Sequence, residues 1–230
     1  MKKDVVIVHY NTPELTSAAI KSLNKTTEGC HVIVFDNSDA RPFVNTFDNV
    51  EVIDNTKGQI IDFDKWLKTF KDKEPSPGNN YGSAKHCFSV QWIVDHRKNP
   101  FVLMDGDILL KEDIASLWDS DKAFVGRISC NTRRFGYVVN RVEPWLCYIN
   151  VKMMRQYGFS YFNGAKMWNL VSNAPDSHYD TGAWFLEEVL RLGLPYMEIE
   201  NKDYCLHLRH GSWKPKKINE WLNQNKKLWE

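Results

Sequence analysis

The sequence predicts an α/β fold with a mostly parallel sheet flanked by helices, and three observations carry that expectation. Apolar runs at Val5–His9, His31–Phe35 and Val50–Ile53 recur within the first 55 residues, each closed by a polar turn. Val5–His9 is continuous rather than alternating, which marks a strand buried on both faces. Segments with helical spacing of apolar residues, 13–24 and 83–96, lie between such runs and lead to a fourth, Phe101–Met104.

The elements follow in order. Val5–His9 ends in the turn-like Asn11-Thr12-Pro13, and Pro13 suits the first turn of a helix bearing Leu15, Ala18, Ala19 and Leu23 on one face. The second run closes at Asp36-Asn37-Ser38-Asp39 and the third at Asp54-Asn55. Residues 71–82 are rich in breakers and read as a loop. Residues 124–151 alternate short apolar runs with Arg, Asn and Gly, predicting mixed or antiparallel strands in a smaller sheet. Residues 152–158 read as a short helix and 163–180 as a loop. Gly182–Leu192 reads as a helix with Trp184, Leu186, Val189 and Leu190 toward the core. Ile218, Trp221, Leu222 and Trp229 form an apolar stripe in a lysine-bearing tail. No internal repeat or low-complexity segment stands out.

Composition narrows the function. The 230 residues suit one large domain, with 30 Lys+Arg against 29 Asp+Glu, so no global field points to nucleic acid. Five cysteines are scattered without a CxxC pair, which argues against a zinc or disulfide framework and for reduced thiols in a cytoplasmic protein. Met1-Lys2-Lys3-Asp4 runs straight into a strand, with no signal peptide expected, and no apolar stretch nears the ~20 residues of a membrane span.

Asp105-Gly106-Asp107 follows the strand 101–104 and precedes another apolar run, Ile108-Leu109-Leu110. Two carboxylates at the end of a buried strand are costly unless a cation meets them, and a hard divalent metal does so while keeping positions open for phosphate. In open α/β sheets, ligands sit outside the carboxyl ends of the strands. Asn11-Thr12, Asp36-Asn37 and Asp105-Gly106-Asp107 should all emerge at that edge. Asp36 also reads as a helix N-cap, since Asp, Asn and Ser all serve there.

On these residues the chain resembles the GT-A fold glycosyltransferases, close to the family 2 type. The resemblance runs through Val5–Leu15, then Val32-Ile33-Val34-Phe35-Asp36-Asn37-Ser38, then Asn80-Tyr81-Gly82-Ser83-Ala84-Lys85-His86, and Asp105-Gly106-Asp107. It covers about the first 115 residues well and the remainder loosely.

The resemblance implies a single GT-A domain over residues 1–230. Its nucleotide-sugar half is 1–115, its acceptor half 116–213, and 214–230 forms a helical tail. It implies that Thr12 and Asp36 hold a nucleotide base, Asp36 accepting from a uracil-like imide, with Asn80, Lys85 and His86 near base or phosphate. Asp105 belongs near the ribose or the metal, and Asp107 is the firmest ligand to Mn²⁺ or Mg²⁺. Leu206-His207-Leu208-Arg209-His210-Gly211-Ser212-Trp213 resembles a C-terminal segment in which a histidine completes the metal shell. His207 and His210 both qualify, and strand alternation leans toward His207.

An inverting transfer needs a carboxylate base. Asp180 matches the place where related enzymes carry an acid, and it is equally placed to cap the helix that follows. Glu187 and Glu188 read as a solvated helix face. Trp145, Trp168, Trp184 and Trp213 are candidates for stacking on sugar rings, or for plain core. The expected reaction moves a sugar from a nucleotide diphosphate donor, UDP-linked, to a saccharide or lipid-linked saccharide acceptor in polysaccharide biosynthesis. The tail offers peripheral contact with an anionic membrane. A sugar-1-phosphate nucleotidyltransferase is disfavoured, because Asn11-Thr12-Pro13-Glu14 lacks the glycine and lysine of a phosphate loop. A non-catalytic nucleotide- or carbohydrate-binding module is the third alternative.

Overall fold

The computed structural model describes residues 3–68, 81–132, 138–163, 181–208 and 214–230. Strands β1 (Lys3–His9), β2 (Cys30–Asp36), β3 (Val50–Asp54) and β4 (Phe101–Met104) pair in parallel, with His9 opposite Asp36, Asp36 opposite Asp54, and Val6 opposite Leu103. They form one half of a seven-stranded sheet. The other half comes from β6 (Phe124–Thr132), β7 (Val138–Ile149) and β8 (Met197–Glu198), giving the order β3-β2-β1-β4-β7-β6-β8. Only β7 runs against the rest. The strands expected between 124 and 151 are therefore present, but they extend the main sheet. The small antiparallel sheet is instead β5 (Ile108–Leu110) with β9 (Cys205–His207), which joins the two halves of the chain.

The unbroken apolar runs have the cause expected of them. Alternate residues of each strand serve different cores. Val6, Ile33, Phe35 and Leu103 pack with Ala84, Cys87, Val90 and Ile93 of α3 (Tyr81–His96) and with Phe185 and Val189 of α5 (Ala183–Arg191). Val5, Ile7, Val32, Val34 and Val102 pack with Ala19, Ile20 and Leu23 of α1 (Pro13–Thr26) on the opposite face. Complete burial of such side chains is worth roughly 1.5–3 kcal/mol each.

Several expectations need adjustment. A short α2 (Phe63–Lys68) was not anticipated; Asp62 Oδ1 accepts the Lys65 N–H at 2.8 Å at its start. Helix α3 begins at Tyr81, inside the expected loop. Helix α4 (Val151–Tyr157) is capped by Asn150, which accepts from Met153 N–H, and it closes on left-handed Gly158. In α5 the core face is Phe185, Leu186 and Val189; Trp184 is half-buried and Leu190 is exposed. Glu188 is not solvated but buried, with both carboxylate oxygens accepting from Arg191 at 2.9 Å. After the short α6 (Asn201–Tyr204) and β9 comes α7 (Pro215–Gln224).

The tail stripe is spent on the protein itself. Ile218 and Leu222, backed by Trp221 and Trp229, pack against Leu15 and Ala18 of α1 and Leu109 of β5. That removes the apolar face a membrane-surface helix needs. No helix among the described residues is long and apolar enough to cross a membrane.

Candidate metal centre

The carboxyl edge of the parallel strands gathers polar residues, as the sequence leads one to expect. The Asn37 N–H donates to His9 O at 3.0 Å and the Asn55 N–H to Asp36 O at 2.8 Å, carrying the ladder past the strand ends. Behind it, the Asn55 amide donates to Asn37 Oδ1 and the Asn37 amide to Ser89 Oγ, both at 2.8 Å, tying β2, β3 and α3 together. Asn11 adopts a left-handed backbone (φ 55°), which Asn tolerates. Its Oδ1 accepts the N–H groups of Ala40 (3.0 Å) and Arg41 (2.9 Å), so this turn organises the loop after β2.

Asp36 has an observed task that is not helix capping. It is 1% exposed; Oδ1 accepts the Ser38 N–H at 2.9 Å and Oδ2 the Phe43 N–H at 2.7 Å. The carboxylate folds its own loop back, and no helix follows for it to cap. Thr12 precedes α1 without a side-chain cap bond and is half-buried at the same edge. Lys85 places its ammonium over two rings, 5.2 Å from the Tyr10 centroid and 5.5 Å from that of Phe63.

The acidic turn itself is held from three sides. The Asp105 N–H donates to Trp145 O of β7 at 3.1 Å, and the Leu208 N–H donates to Asp107 O at 3.0 Å. From the third side α1 presses on the glycine: a Cβ at Gly106 would lie 2.7 Å from Thr16 Oγ1. That hydroxyl bonds His9 Nδ1 at 2.8 Å, and His9 Nε2 lies 3.3 Å from Arg41 O. Because a carbonyl only accepts, the proton sits on Nε2 and Thr16 donates to Nδ1. Gly106 thus answers to close approach of a helix side chain.

Pairing of β5 with β9 puts Ile108 opposite His207, so the histidine lies beside the turn. His207 Nε2 is 3.2 Å from Asp107 Oδ1, with the side chains 18% and 16% exposed. Ligand atoms of Asp105, Asp107 and His207 all lie within 4.8 Å of one another. His86 adds a contact of 3.5 Å from Nε2 to Asp105 Oδ1. Burial pushes the Asp105 carboxyl up, but His86, His207 and Arg141 outweigh it and hold the group below the usual carboxylate range.

Trp145 follows the core alternative among the expectations. Its indole stacks on the His207 imidazole, centroids 4.7 Å apart, and it is 9% exposed, so its role is to orient a histidine rather than to carry a sugar. It lies in a wide break in the β6–β7 register. Gly126 faces Cys147 and Ile128 faces Val142, so Arg127 alone stands against Glu143, Pro144, Trp145 and Leu146. Proline donates no ladder bond and fits such a bulge. Glu143 and Arg141 were overlooked by the sequence reading; charged residues flanking Val142 in an otherwise apolar strand are the signal that could have found them.

Asn80, Asp180, His210 and the tryptophans Trp168 and Trp213 lie outside the described residues. Cys30, Cys87, Cys147 and Cys205 are buried.

No protein-family model matches the chain, and no curated protein matches it in sequence. Solved structures do match in shape. The galactosyltransferase LgtC, in complex with donor and acceptor sugar analogues, is similar at a TM-score of 0.53 and 14% identity, over 84% of this chain and 72% of that one. Core-mannan synthase A (Ktr4) of Aspergillus fumigatus, in an Mn/GDP form, is similar at 0.53 and 10% identity, over 90% and 74%. GlyE of Streptococcus pneumoniae matches at 0.48 and 13% identity, and there this chain spans only 46% of the other's length. At such identities the likeness speaks for architecture, and the strand order and the joining small sheet agree with it: the chain has the GT-A fold of the glycosyltransferases.

Proposed function

We propose that this protein is a metal-dependent glycosyltransferase. It moves a sugar from a nucleotide diphosphate donor, UDP-linked, to a saccharide or lipid-linked saccharide acceptor. The observation that carries the reading is the convergence of Asp105, Asp107 and His207 ligand atoms within 4.8 Å at the carboxyl edge of the sheet. Fold alone does not deliver an activity, so the site must.

The donor set suits a divalent cation. Two carboxylates and one imidazole suit Mn²⁺ somewhat better than Mg²⁺, which favours oxygen throughout. When bound, the metal offsets the negative charge that builds on the departing diphosphate. The protein's own residues do the rest. Trp145 and the β5–β9 pairing fix the His207 ring, and the Thr16–Gly106 contact fixes the turn carrying both acids. Thr12, Asn80 and Lys85 are assigned to nucleotide and phosphate, with His86 against Asp105. Asp36 supports the nucleotide side by shaping residues 38–43.

The experiment is a thermal-shift panel of UDP, GDP and their sugar conjugates with and without Mn²⁺. UDP or a UDP-sugar should raise the melting temperature only when metal is present, by mass action. Stabilisation by none of them, with or without metal, contradicts the reading. A binding module is separated from an enzyme by whether the stabilising donor is turned over.

A further inference from the structure

The metal centre leaves one nearby carboxylate unused. Strands β4 and β7 run antiparallel with Met104 opposite Leu146, and the Asp105 N–H bonds Trp145 O. Residues of β7 numbered below 145 therefore continue past the carboxyl edge of β4, where substrates of such sheets sit. Glu143 is two residues beyond Trp145, on the order of 7 Å along the strand at the usual rise per residue.

The Glu143 side chain is 12% exposed and, among the described residues, is ion-paired only at the distance limit, with Arg127 Nε 3.9 Å from Oε2. That Oε2 is buried and accepts no hydrogen bond from the described residues. Among the described residues it is the only carboxylate oxygen in that condition. Asp36 and Glu188, also buried, have both oxygens bonded. Leaving a buried acceptor unsatisfied costs about 1–3 kcal/mol, more for a charged one. The β7 backbone also meets the segment that follows Asp180: Val142 N lies 3.4 Å from Gly182 O.

We propose that Glu143 is the catalytic base of the transfer, in place of Asp180. It rests on the glycosyltransferase reading above. The Glu143 carboxylate takes the proton of the acceptor hydroxyl as that oxygen bonds to the anomeric carbon. The bond from the anomeric carbon to the phosphate oxygen breaks, and its electron pair leaves with the nucleoside diphosphate. Glu143 then returns the proton to solvent. The single displacement inverts the anomeric configuration.

The test compares wild type, Glu143→Gln and Asp180→Asn. Binding is read as thermal stabilisation by UDP with Mn²⁺. Turnover is read as UDP release from UDP-glucose or UDP-galactose, with methyl β-galactoside as acceptor probe and water as the default acceptor. Glu143→Gln, which keeps the shape of the side chain, should be stabilised like wild type yet release UDP ~100-fold or more slowly, with the donor KM unchanged. The transferred sugar should have inverted configuration by NMR. UDP release near the wild-type rate in Glu143→Gln overturns the assignment. So does a retained configuration, or loss of UDP–Mn²⁺ stabilisation together with turnover. Abolition of turnover by Asp180→Asn alone overturns it as well. A wild-type protein that no nucleotide and metal stabilise, or that turns over neither donor, instead refutes the glycosyltransferase reading and takes this inference with it.

Discussion

The Trp145 indole lies on the His207 imidazole with centroids 4.7 Å apart and planes 26° from parallel. The same tryptophan's carbonyl accepts the Asp105 N–H at 3.1 Å. One residue of β7 therefore positions two of the three candidate ligands. Changing it should act on the metal without removing any ligand atom. Trp145→Phe, which keeps an aromatic plane, should weaken Mn²⁺ binding roughly tenfold, the lower end of what supporting residues contribute. Calorimetric titration of Mn²⁺ in the presence of UDP measures it. Unaltered affinity means the stacking does not orient the histidine.

Gly106 is constrained by a helix rather than by its own backbone. A Cβ there meets Thr16 Oγ1 at 2.7 Å and Ile7 Cγ2 at 3.6 Å. Gly106→Ala should lower stability by about 1–3 kcal/mol, as overpacking does, and weaken metal binding by shifting Asp105 and Asp107. In a Thr16→Ala background the same change should cost clearly less, because the obstructing oxygen is gone. Urea unfolding of the four proteins in the cycle gives the coupling directly. Strict additivity would show that the clash is not what excludes a side chain.

Gly182 presents the opposite case, with both a left-handed backbone (φ 82°) and a Cβ position 2.1 Å from Val142 O. A flexible side chain can move aside; a strand carbonyl cannot. Gly182→Ala should cost about 3 kcal/mol or more and loosen the contact between α5 and β7. A drop in the melting temperature of only a degree or two would contradict this.

His9 gives a pH signature. Burial holds its imidazole below its ordinary value of 6.5, opposed by the charge of Asp36. As pH falls through about 6.5 the unfolded chain takes up the proton first, so the folded state loses stability until the native pKa is also passed. The expected result is a fall in unfolding free energy between about pH 7 and 5 that is shallower in His9→Asn. Equal slopes in the two proteins would show that His9 does not titrate differently on folding.

Much of this architecture is written in local sequence. The runs at Val5, His31 and Phe101 had to be strands buried on both faces because they carry no polar alternation, and the structure buries Val5, Val6 and Ile7 completely. Pro13 marks the start of α1 for the same kind of reason, its fixed φ and missing N–H costing nothing there. What could not be read was long-range. The β5–β9 pairing joins residues about a hundred positions apart, and no periodicity announces it. The Asp105 and Asp107 pair was visible as a motif, whereas its tie to Trp145 comes from the long-range β4–β7 register, carried one residue past Met104 and Leu146. Asp36 was legible as an important acid but not as a loop clamp, because the amides it accepts belong to residues that have no pattern of their own.

The most direct test of the central claim is the titration of Mn²⁺ into the protein with UDP present, comparing wild type with Asp107→Asn and His207→Ala. Asp107 and His207 face one another at 3.2 Å and should act as a unit. Wild type should bind one ion saturably, with Asp107→Asn losing that binding and His207→Ala weakening it by roughly tenfold to a hundredfold. Mn²⁺ affinity that neither substitution changes would show that the acidic turn and its histidine do not hold the metal.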